Sequence, residues 1–263
     1  MFRRRLTLTV LALATALLLA ACGSSSDDGS TLDQIKKDGV LKVGTEGTYA
    51  PFTFHDPKTD KLTGYDVDVI TAVAKELGVK AEFSESPFDA IFAGLTSKRW
   101  DVVANQVTKN PEREKLYDLS KPYTISEGAI VAKKGDTSIT SLTDLKGKTT
   151  AQSSTSNWAQ VAKDAGSDVE SVEGFAQAIA LVKQDRVDAT VNDNLAVLDY
   201  LNTTGDDSVE IVAGTGGEKS EQVLAFRKDS GMVQEFNKAL DELRADGTLA
   251  KISQKYFKTD VSK

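Results

Sequence analysis

The chain has 263 residues, 39 acidic against 32 basic side chains, a formal net charge of −7, one cysteine and one histidine. This acidic balance argues against nucleic acid and against a polybasic membrane patch as partners. A single histidine and a single cysteine leave almost nothing for a metal centre or a Ser-His site, so the sequence indicates no metal and no cofactor.

The N-terminus is predicted to be a targeting segment rather than part of the fold. Arg3-Arg4-Arg5 precedes an apolar stretch, residues 6–20, that is too short to span a bilayer comfortably. The stretch ends in Leu19-Ala20-Ala21-Cys22, which resembles the lipobox of bacterial lipoproteins. Residues 1–21 are therefore predicted as a lipoprotein signal peptide and Cys22 as the lipidated residue, the alternative being an ordinary secretory signal with an incidental cysteine. Loss of three arginines with this segment would change the formal charge from −7 to −10.

Residues 22–30 are rich in glycine, serine and aspartate, and predict a flexible tether. Beyond them, strand-like and helix-like segments alternate, which predicts parallel α/β units with helices on both faces of a sheet. The predicted segments are a strand at 40–43, a helix at 66–77, a strand at 79–83, a helix at 88–95, a strand at 102–105, a helix at 175–184, a strand at 189–191, a helix at 195–201 and a strand at 209–212.

Two such series, separated by residues 120–128, predict two lobes. A strand at 222–226 is expected to cross back, so that a helix at 233–243 covers the sheet of the first lobe. The predicted lobes are then residues 31–127 with 222–263, and residues 128–221. Two crossings, near 126–131 and 219–224, would form a hinge. Ligands of open α/β sheets bind outside the carboxyl ends of strands, so facing lobes predict an interlobe cleft.

Arg113 and Asp193 carry opposite charges at the ends of two predicted strands that lie far apart in sequence. A guanidinium and a carboxylate at two strand mouths could hold the opposite ends of a zwitterion such as a free amino acid. Each residue also has a structural interpretation. Arg113 could pair at the surface with Glu112 or Glu114, and Asp193 could be the N-cap of the following helix.

A family resemblance rests on residues 44–52, 62–68, 87–90, 101–113, Tyr123, 145–148, 174–193 and 246–252. These stretches are distributed over nearly all of residues 31–263, and they resemble the bacterial extracytoplasmic solute-binding proteins of family 3, the polar amino-acid receptors of ABC importers. Residues 104–107, 151–157 and 256–263 look most like the cystine-binding branch. The resemblance implies an α/β, two-lobed periplasmic-binding-protein fold of type II. It also implies a monomeric, extracytoplasmic receptor without enzyme activity, anchored to the cell membrane only by its lipid, which delivers an amino acid to ABC permease subunits.

The same resemblance implies roles for individual residues. Arg113 would hold the ligand α-carboxylate in a bidentate pair, because a planar guanidinium fork suits a carboxylate. Thr108 would add its hydroxyl and backbone N–H to that carboxylate. Asp193 would pair with the α-ammonium, helped by the backbone around Gln106. An aromatic sandwich around the ligand side chain is implied for Tyr49, Phe52 and Phe88.

Further contacts are implied for Asn105 and for the loop Ser156, Asn157 and Trp158 of the second lobe. This loop departs from the family pattern, with Thr155 where glycine is common. Glu46 lies where relatives often carry aspartate to read a cationic or polar side chain. Serine hydroxyls and an amide would contact the distal head of L-cystine, at Ser153, Ser154, Ser156 and Asn157.

Three alternatives stay open at this point. Glutamine or another polar amino acid would satisfy the same clamp as cystine. An enzyme resembling the cyclohexadienyl dehydratases, with Glu46 or Glu173 as general acid or base, would have the same fold. The ligand-sensing ectodomain of a receptor would require a transmembrane helix, and the sequence has no apolar run of about 18 residues after Cys22.

Overall fold

The computed structural model describes residues 31–217 and 219–263. The predicted signal peptide, the tether and the lipidation of Cys22 lie outside these residues. Elements of the first part of the chain are α1 (Thr31–Asp38), β1 (Val40–Thr45), β2 (Thr48–Tyr49), β3 (Thr53–His55), β4 (Leu62–Thr63), α2 (Tyr65–Glu76), β5 (Lys80–Glu85), α3 (Phe88–Thr96), β6 (Val102–Thr108), α4 (Pro111–Leu116), β7 (Tyr117–Leu119) and β8 (Thr124–Ser126). Those of the rest are β9 (Gly128–Lys133), β10 (Thr149–Gln152), α5 (Asn157–Asp164), β11 (Asp168–Ser171), α6 (Phe175–Lys183), β12 (Ala189–Asp193), α7 (Asn194–Thr204), β13 (Val209–Gly214), β14 (Ser220–Arg227), α8 (Val233–Ala245) and α9 (Thr248–Phe257), with a short 3₁₀ turn at Leu142–Leu145.

The first sheet has the strand order β5-β1-β6-β14-β7, and β8 pairs with β14. Helix α2 packs against β5, β6, α8 and α9, while α3 packs against β1, β6 and β14. Helix α2 forms because Val69, Ile70, Val73 and Ala74 recur at helical spacing and are all buried. Gly78, in the left-handed conformation at φ 78°, follows the end of this helix. The elements on this sheet make up the first lobe.

The second sheet has the order β11-β10-β12-β9-β13 and forms the second lobe with α5, α6 and α7. The predicted α/β, two-lobed fold is confirmed, but the expectation of parallel units holds for only part of each sheet. Strands β5, β1 and β6 are parallel, as are β11, β10 and β12, whereas β14, β9 and β13 run antiparallel to their neighbours. Strands β9, β13 and β14 adjoin the two passages between the sheets. The chain makes each passage directly, without a crossover helix that would return it to the same end of one sheet.

The chain passes between the sheets at two adjacent points. Strand β8 ends at Ser126 and β9 begins at Gly128, and the return runs from β13 to β14. Ser126 pairs with Ser220, so the two passages lie side by side and form a hinge. The residue boundaries of the lobes stay a prediction. Within residues 31–217 and 219–263, no helix has the length and apolar character needed to cross a membrane.

Candidate functional site

A small cavity of about 40 Å³ lies between the lobes, where the carboxyl ends of β1, β6, β10 and β12 meet. This position follows the rule for open α/β sheets, here applied to two facing sheets. The first lobe contributes Glu46, Tyr49, Phe88, Asn105 and Gln106. The second lobe contributes Gln152, Ser153, Ser156, Asn157, Trp158, Gly174, Phe175, Ala178, Val191 and Asn192.

The lobes are joined directly across this cavity. The Tyr49 hydroxyl donates to Asn192 Oδ1 at 2.6 Å. Gly174 faces Glu46 so closely that a Cβ on this glycine would lie 3.0 Å from Glu46 Oε1. Glycine at position 174 therefore allows the second lobe to lie close to the Glu46 side chain of the first lobe.

A second interlobe contact, which we call the Asp89 latch, closes the edge of the cleft. The Asp89 carboxylate in the first turn of α3 accepts four hydrogen bonds from the loop before α5. The donors are the N–H and hydroxyl of Ser154, at 3.1 and 2.7 Å, and those of Thr155, at 3.0 and 2.8 Å. Partial burial opposes ionisation, yet these donors hold the pKa of Asp89 below its ordinary value. Ser154, predicted to face a ligand, is thus engaged by the latch instead.

Arg113 is a buried cation, with 7% of its surface exposed. Its Nη1 donates to Thr108 O at 2.7 Å and its Nη2 to Thr155 O of the second lobe at 3.3 Å. The guanidinium lies over the rings of Phe88 and Phe92, at 5.7 and 5.5 Å. Burial lowers its pKa to about 10. Among the described residues no carboxylate is within ion-pair distance of Arg113, so the surface-pair interpretation is wrong.

Asp193 is a buried carboxylate at the start of α7. Its Oδ1 accepts from Leu195 N at 2.9 Å, so the residue is the N-cap of that helix. Its Oδ2 accepts from the Ser126 hydroxyl at the hinge. Burial raises the pKa of Asp193 to about 6. Within the part of the chain that the structure describes, no cation pairs with it.

Glu46 and Asn105 form an acid–amide pair on the first-lobe wall. Asn105 Oδ1 accepts from Glu46 N at 2.7 Å, and Asn105 Nδ2 donates to Glu46 Oε2 at 3.1 Å. Burial raises the pKa of Glu46 to about 7, because its partners are neutral. This carboxyl therefore changes its ionisation near neutral pH.

The structure brings most of the predicted site residues together, but it divides them between two surfaces. An open groove adjoins the cavity and is lined by Thr108 and Arg113. Asp193 lines neither surface, although Asn192 beside it lines the cavity. The predicted residues that line the cavity are Glu46, Tyr49, Phe88, Asn105, Gln106, Ser153, Ser156, Asn157 and Trp158, the last three of which also border the groove.

Phe52 is placed differently from the prediction. It is fully buried in the first-lobe core, with ring centroids 5.1 Å from Tyr49 and 5.9 Å from Phe257, and it is not among the cavity-lining residues. Its ring supports Tyr49 from behind. The aromatic walls of the cavity are instead Tyr49, Phe88, Trp158 and Phe175.

Three buried polar atoms in the cavity and groove have no hydrogen-bond partner among the described residues. They are Gln106 Oε1, Thr108 Oγ1 and Gln152 Nε2. Buried polar side-chain atoms are normally paired, since leaving one unpaired costs about 1–3 kcal/mol. Two oxygens that can accept hydrogen bonds and one amide nitrogen that can donate them are therefore available to a polar ligand.

Sequence reasoning missed several residues of the site. Gln152 and Asn192 end or nearly end their strands, and this strand-end position was the available signal. Asp66 lies within the matching stretch 62–68, at the start of a helix, where an acidic residue also suits the helix dipole. The latch role of Asp89 had no sequence signal, because its partners are 65 residues away.

Known proteins are similar to this chain over nearly its whole length. The sequence profile of the bacterial extracellular solute-binding proteins, family 3, matches residues 41–259. The chain is 56% identical over 254 residues to the L-cystine-binding protein TcyA of Bacillus subtilis (strain 168), which covers 93% of this chain and 94% of that relative.

Two solved structures bear on the arrangement of the lobes. An ancestral arginine-binding protein bound to arginine is similar with a TM-score of 0.77 at 43% identity, covering 83% of this chain and 98% of that one. The L-cystine solute receptor of Neisseria gonorrhoeae, in its unliganded open conformation, gives a TM-score of 0.60 at 48% identity, covering 89% and 99%. The ligand-bound structure fits better despite its lower identity. Together with the interlobe hydrogen bonds, this indicates that the lobes are closed here.

Proposed function

The chain belongs to the bacterial extracellular solute-binding proteins of family 3, and on this premise we propose that it is a lipid-anchored receptor that binds L-cystine in its interlobe cleft and delivers it to an ABC permease. Cys22 carries the lipid in this proposal, and the protein acts as an extracytoplasmic monomer. The broader class, an amino-acid-binding protein of the ABC importer type, follows from the relatives themselves.

One observation carries the proposal: buried charges of both signs lie at or just behind the cleft walls without partners of opposite sign, with Arg113 on the groove, Glu46 on the cavity and Asp193 next to the cavity residue Asn192. Among the described residues, Arg113 has no carboxylate within ion-pair distance, and neither Asp193 nor Glu46 has a cation. Burying an unpaired charge costs several kcal/mol, which a ligand of complementary charge offsets. An amino acid supplies both signs in one molecule.

The clamp assigns each end of the ligand to one of these charges. Arg113 binds the α-carboxylate, with the unpartnered Thr108 Oγ1 as a second donor. Asp193 attracts the α-ammonium. Because Arg113 also donates to Thr155 of the second lobe, binding at the guanidinium and closure of the lobes are coupled.

Cystine is favoured over other amino acids by the chemistry of the remaining wall and by the similarity to TcyA, a protein named for L-cystine binding. Ser153, Ser156, Asn157 and the unpartnered Gln152 Nε2 offer neutral polar contacts. Tyr49 and Phe88 offer apolar surface for a disulfide. Glutamine would use several of the same contacts, and it is the alternative ligand.

A thermal-shift panel under non-reducing conditions tests the ligand. L-Cystine is expected to raise the melting temperature more than glutamine, arginine or glutamate does. Stabilisation by one of these three but not by cystine would overturn the ligand and leave the receptor class intact. Absence of stabilisation by any amino acid would overturn the receptor itself.

Dehydratase activity is tested separately. Incubation of the purified protein with arogenate or prephenate is expected to yield no product, because the charges at the cleft suit zwitterion binding. Product formation that disappears in Glu46→Gln would refute the assignment as a binding protein.

A further inference from the structure

A second acid–amide pair lies on the first-lobe wall and joins Asp66 to Gln106. Asp66, the second residue of α2, is buried with 1% of its surface exposed. Its Oδ2 accepts from Gln106 N at 2.8 Å, and its Oδ1 accepts from Gln106 Nε2 at 2.6 Å. One carboxylate thus holds both the backbone and the side chain of a cavity residue.

Gln106 has an unusual backbone. Its φ of 47° lies in the left-handed region, which non-glycine residues seldom adopt. The pairing of β6 with β14 shifts its register between Val103 and Val107, so Gln106 lies in a local irregularity of the ladder. Such a conformation persists only where neighbouring groups hold it. Asp66 supplies that hold through the Gln106 N–H.

The carboxylate also dictates which way the Gln106 amide faces. Burial raises the pKa of Asp66 to about 7, and the two hydrogen bonds from Gln106 oppose that rise. The ionised carboxylate only accepts hydrogen bonds, so the amide presents its NH₂ group to Asp66. Thr124 Oγ1 accepts from the same nitrogen at 3.2 Å. The amide oxygen, Gln106 Oε1, is consequently left buried and without a partner among the described residues, on a residue that is 7% exposed and lines the cavity.

We propose that Gln106 Oε1 accepts a hydrogen bond from the ligand's ammonium group, and that Asp66 is the positioning residue that keeps this oxygen facing the cleft. This inference rests on the proposed function, because it requires an amino-acid ligand. Asp66 acts through Gln106 and does not itself touch the ligand. The ammonium then has an amide oxygen in addition to the carboxylate of Asp193.

Asp66→Asn tests the positioning role with little change in shape. The oxygen of the introduced amide can still accept the Gln106 N–H, but its NH₂ group requires an acceptor, so the Gln106 amide turns over and presents NH₂ to the cleft. We expect the affinity for L-cystine, measured by calorimetry, to fall about 10-fold, the effect of one lost charge-assisted hydrogen bond. Asp68→Asn is the matched control, since Asp68 is on the same helix and bonds Lys255 and Tyr256 at the surface.

The double variant Asp66→Asn/Gln106→Glu supplies a readout that a merely structural role would not give. The NH₂ group introduced by Asp66→Asn then donates to the new carboxylate, whose other oxygen again faces the cleft as an acceptor. Affinity should return to within about 3-fold of wild type, whereas Gln106→Glu alone sets two carboxylates against each other and should weaken binding. Gln106→Met, which removes the acceptor and leaves Asp66 in place, covers the case in which Asp66→Asn does not fold.

L-Cystine and L-glutamine are the two probes, and wild type is measured first. If wild type binds neither, the proposed function fails. If wild type binds but Asp66→Asn and Gln106→Met both bind as tightly, the positioning role is refuted. A double variant no tighter than Asp66→Asn also refutes it, whereas its recovery with an unchanged Asp68→Asn control supports it.

Discussion

Removal of the Asp89 latch should weaken ligand binding by destabilising the closed form, and not by removing a contact with the ligand. Asp89→Ala deletes four hydrogen bonds that join α3 of the first lobe to Ser154 and Thr155 of the second. Because Asp89 is exposed, solvent screens these bonds, and each is worth about 0.5 kcal/mol rather than the larger value of a buried charged bond. Together they stabilise the closed form by about 2 kcal/mol.

This free energy bears on dissociation. The lobes must open before ligand leaves, and the latch bonds break in that step. Asp89→Ala should therefore accelerate dissociation by about 30-fold, whereas the association rate should change less than about 3-fold, since ligand enters the open form. Stopped-flow fluorescence with cystine measures both rates, using Trp158 at the cleft as the reporter.

The matched control is Asp136→Ala. Asp136 is an exposed carboxylate that accepts from Ser138 N at 2.6 Å inside the second lobe, so its removal takes away a similar charge without an interlobe bond. Its dissociation rate should equal that of wild type. An unchanged dissociation rate in Asp89→Ala would refute the latch. If dissociation were accelerated equally in both variants, loss of the charge alone would explain the effect.

Three further predictions concern the clamp, pH and the anchor. Arg113→Ala and Asp193→Ala should each weaken binding by on the order of 2–5 kcal/mol in calorimetry, because each leaves one ligand charge unpaired; retained affinity in either would mean that this end of the ligand lies elsewhere. Burial raises the pKa of Asp193 to about 6 and that of Glu46 to about 7. In the absence of ligand, these two groups therefore contribute most to the stability of the fold at low pH, where they are protonated, and that contribution is lost as the pH rises from about 4 to about 7. An ammonium favours the ionised form of Asp193, so the dissociation constant should rise about 10-fold between pH 8 and pH 5, with proton release on binding; a flat profile would contradict this. Cys22→Ser should move the protein to the soluble fraction or leave it unprocessed, and identical partitioning of variant and wild type would refute the lipobox.

The helices and strands could be predicted from the sequence because the residue patterns that indicate them are local. The spacing of Val69, Ile70, Val73 and Ala74 identifies α2, and Gly78 marks its end, independently of the rest of the chain. The antiparallel direction of β9 and β14 was not predicted, since strand direction depends on how the two passages between the lobes are arranged. Periodicity does not encode that arrangement.

The site was predictable only in part for the same reason. Arg113 and Asp193 stood out by charge and motif, but their burial without opposite charges depends on packing of distant elements. Phe52 and Tyr49 are equally aromatic in sequence, and only the fold places Phe52 in the core behind Tyr49. Asp66 and Asp89 act on partners 40 and 65 residues away, so no local pattern could assign them.

A crystal structure of the protein with L-cystine tests the central claim most directly. We expect one α-carboxylate within hydrogen-bond distance of the Arg113 guanidinium and the adjacent α-ammonium near Asp193 and Gln106. The disulfide should lie against Tyr49 and Phe88, between lobes closed as they are here. Cystine bound away from Arg113, or a cleft that remains open with ligand in place, would contradict the account.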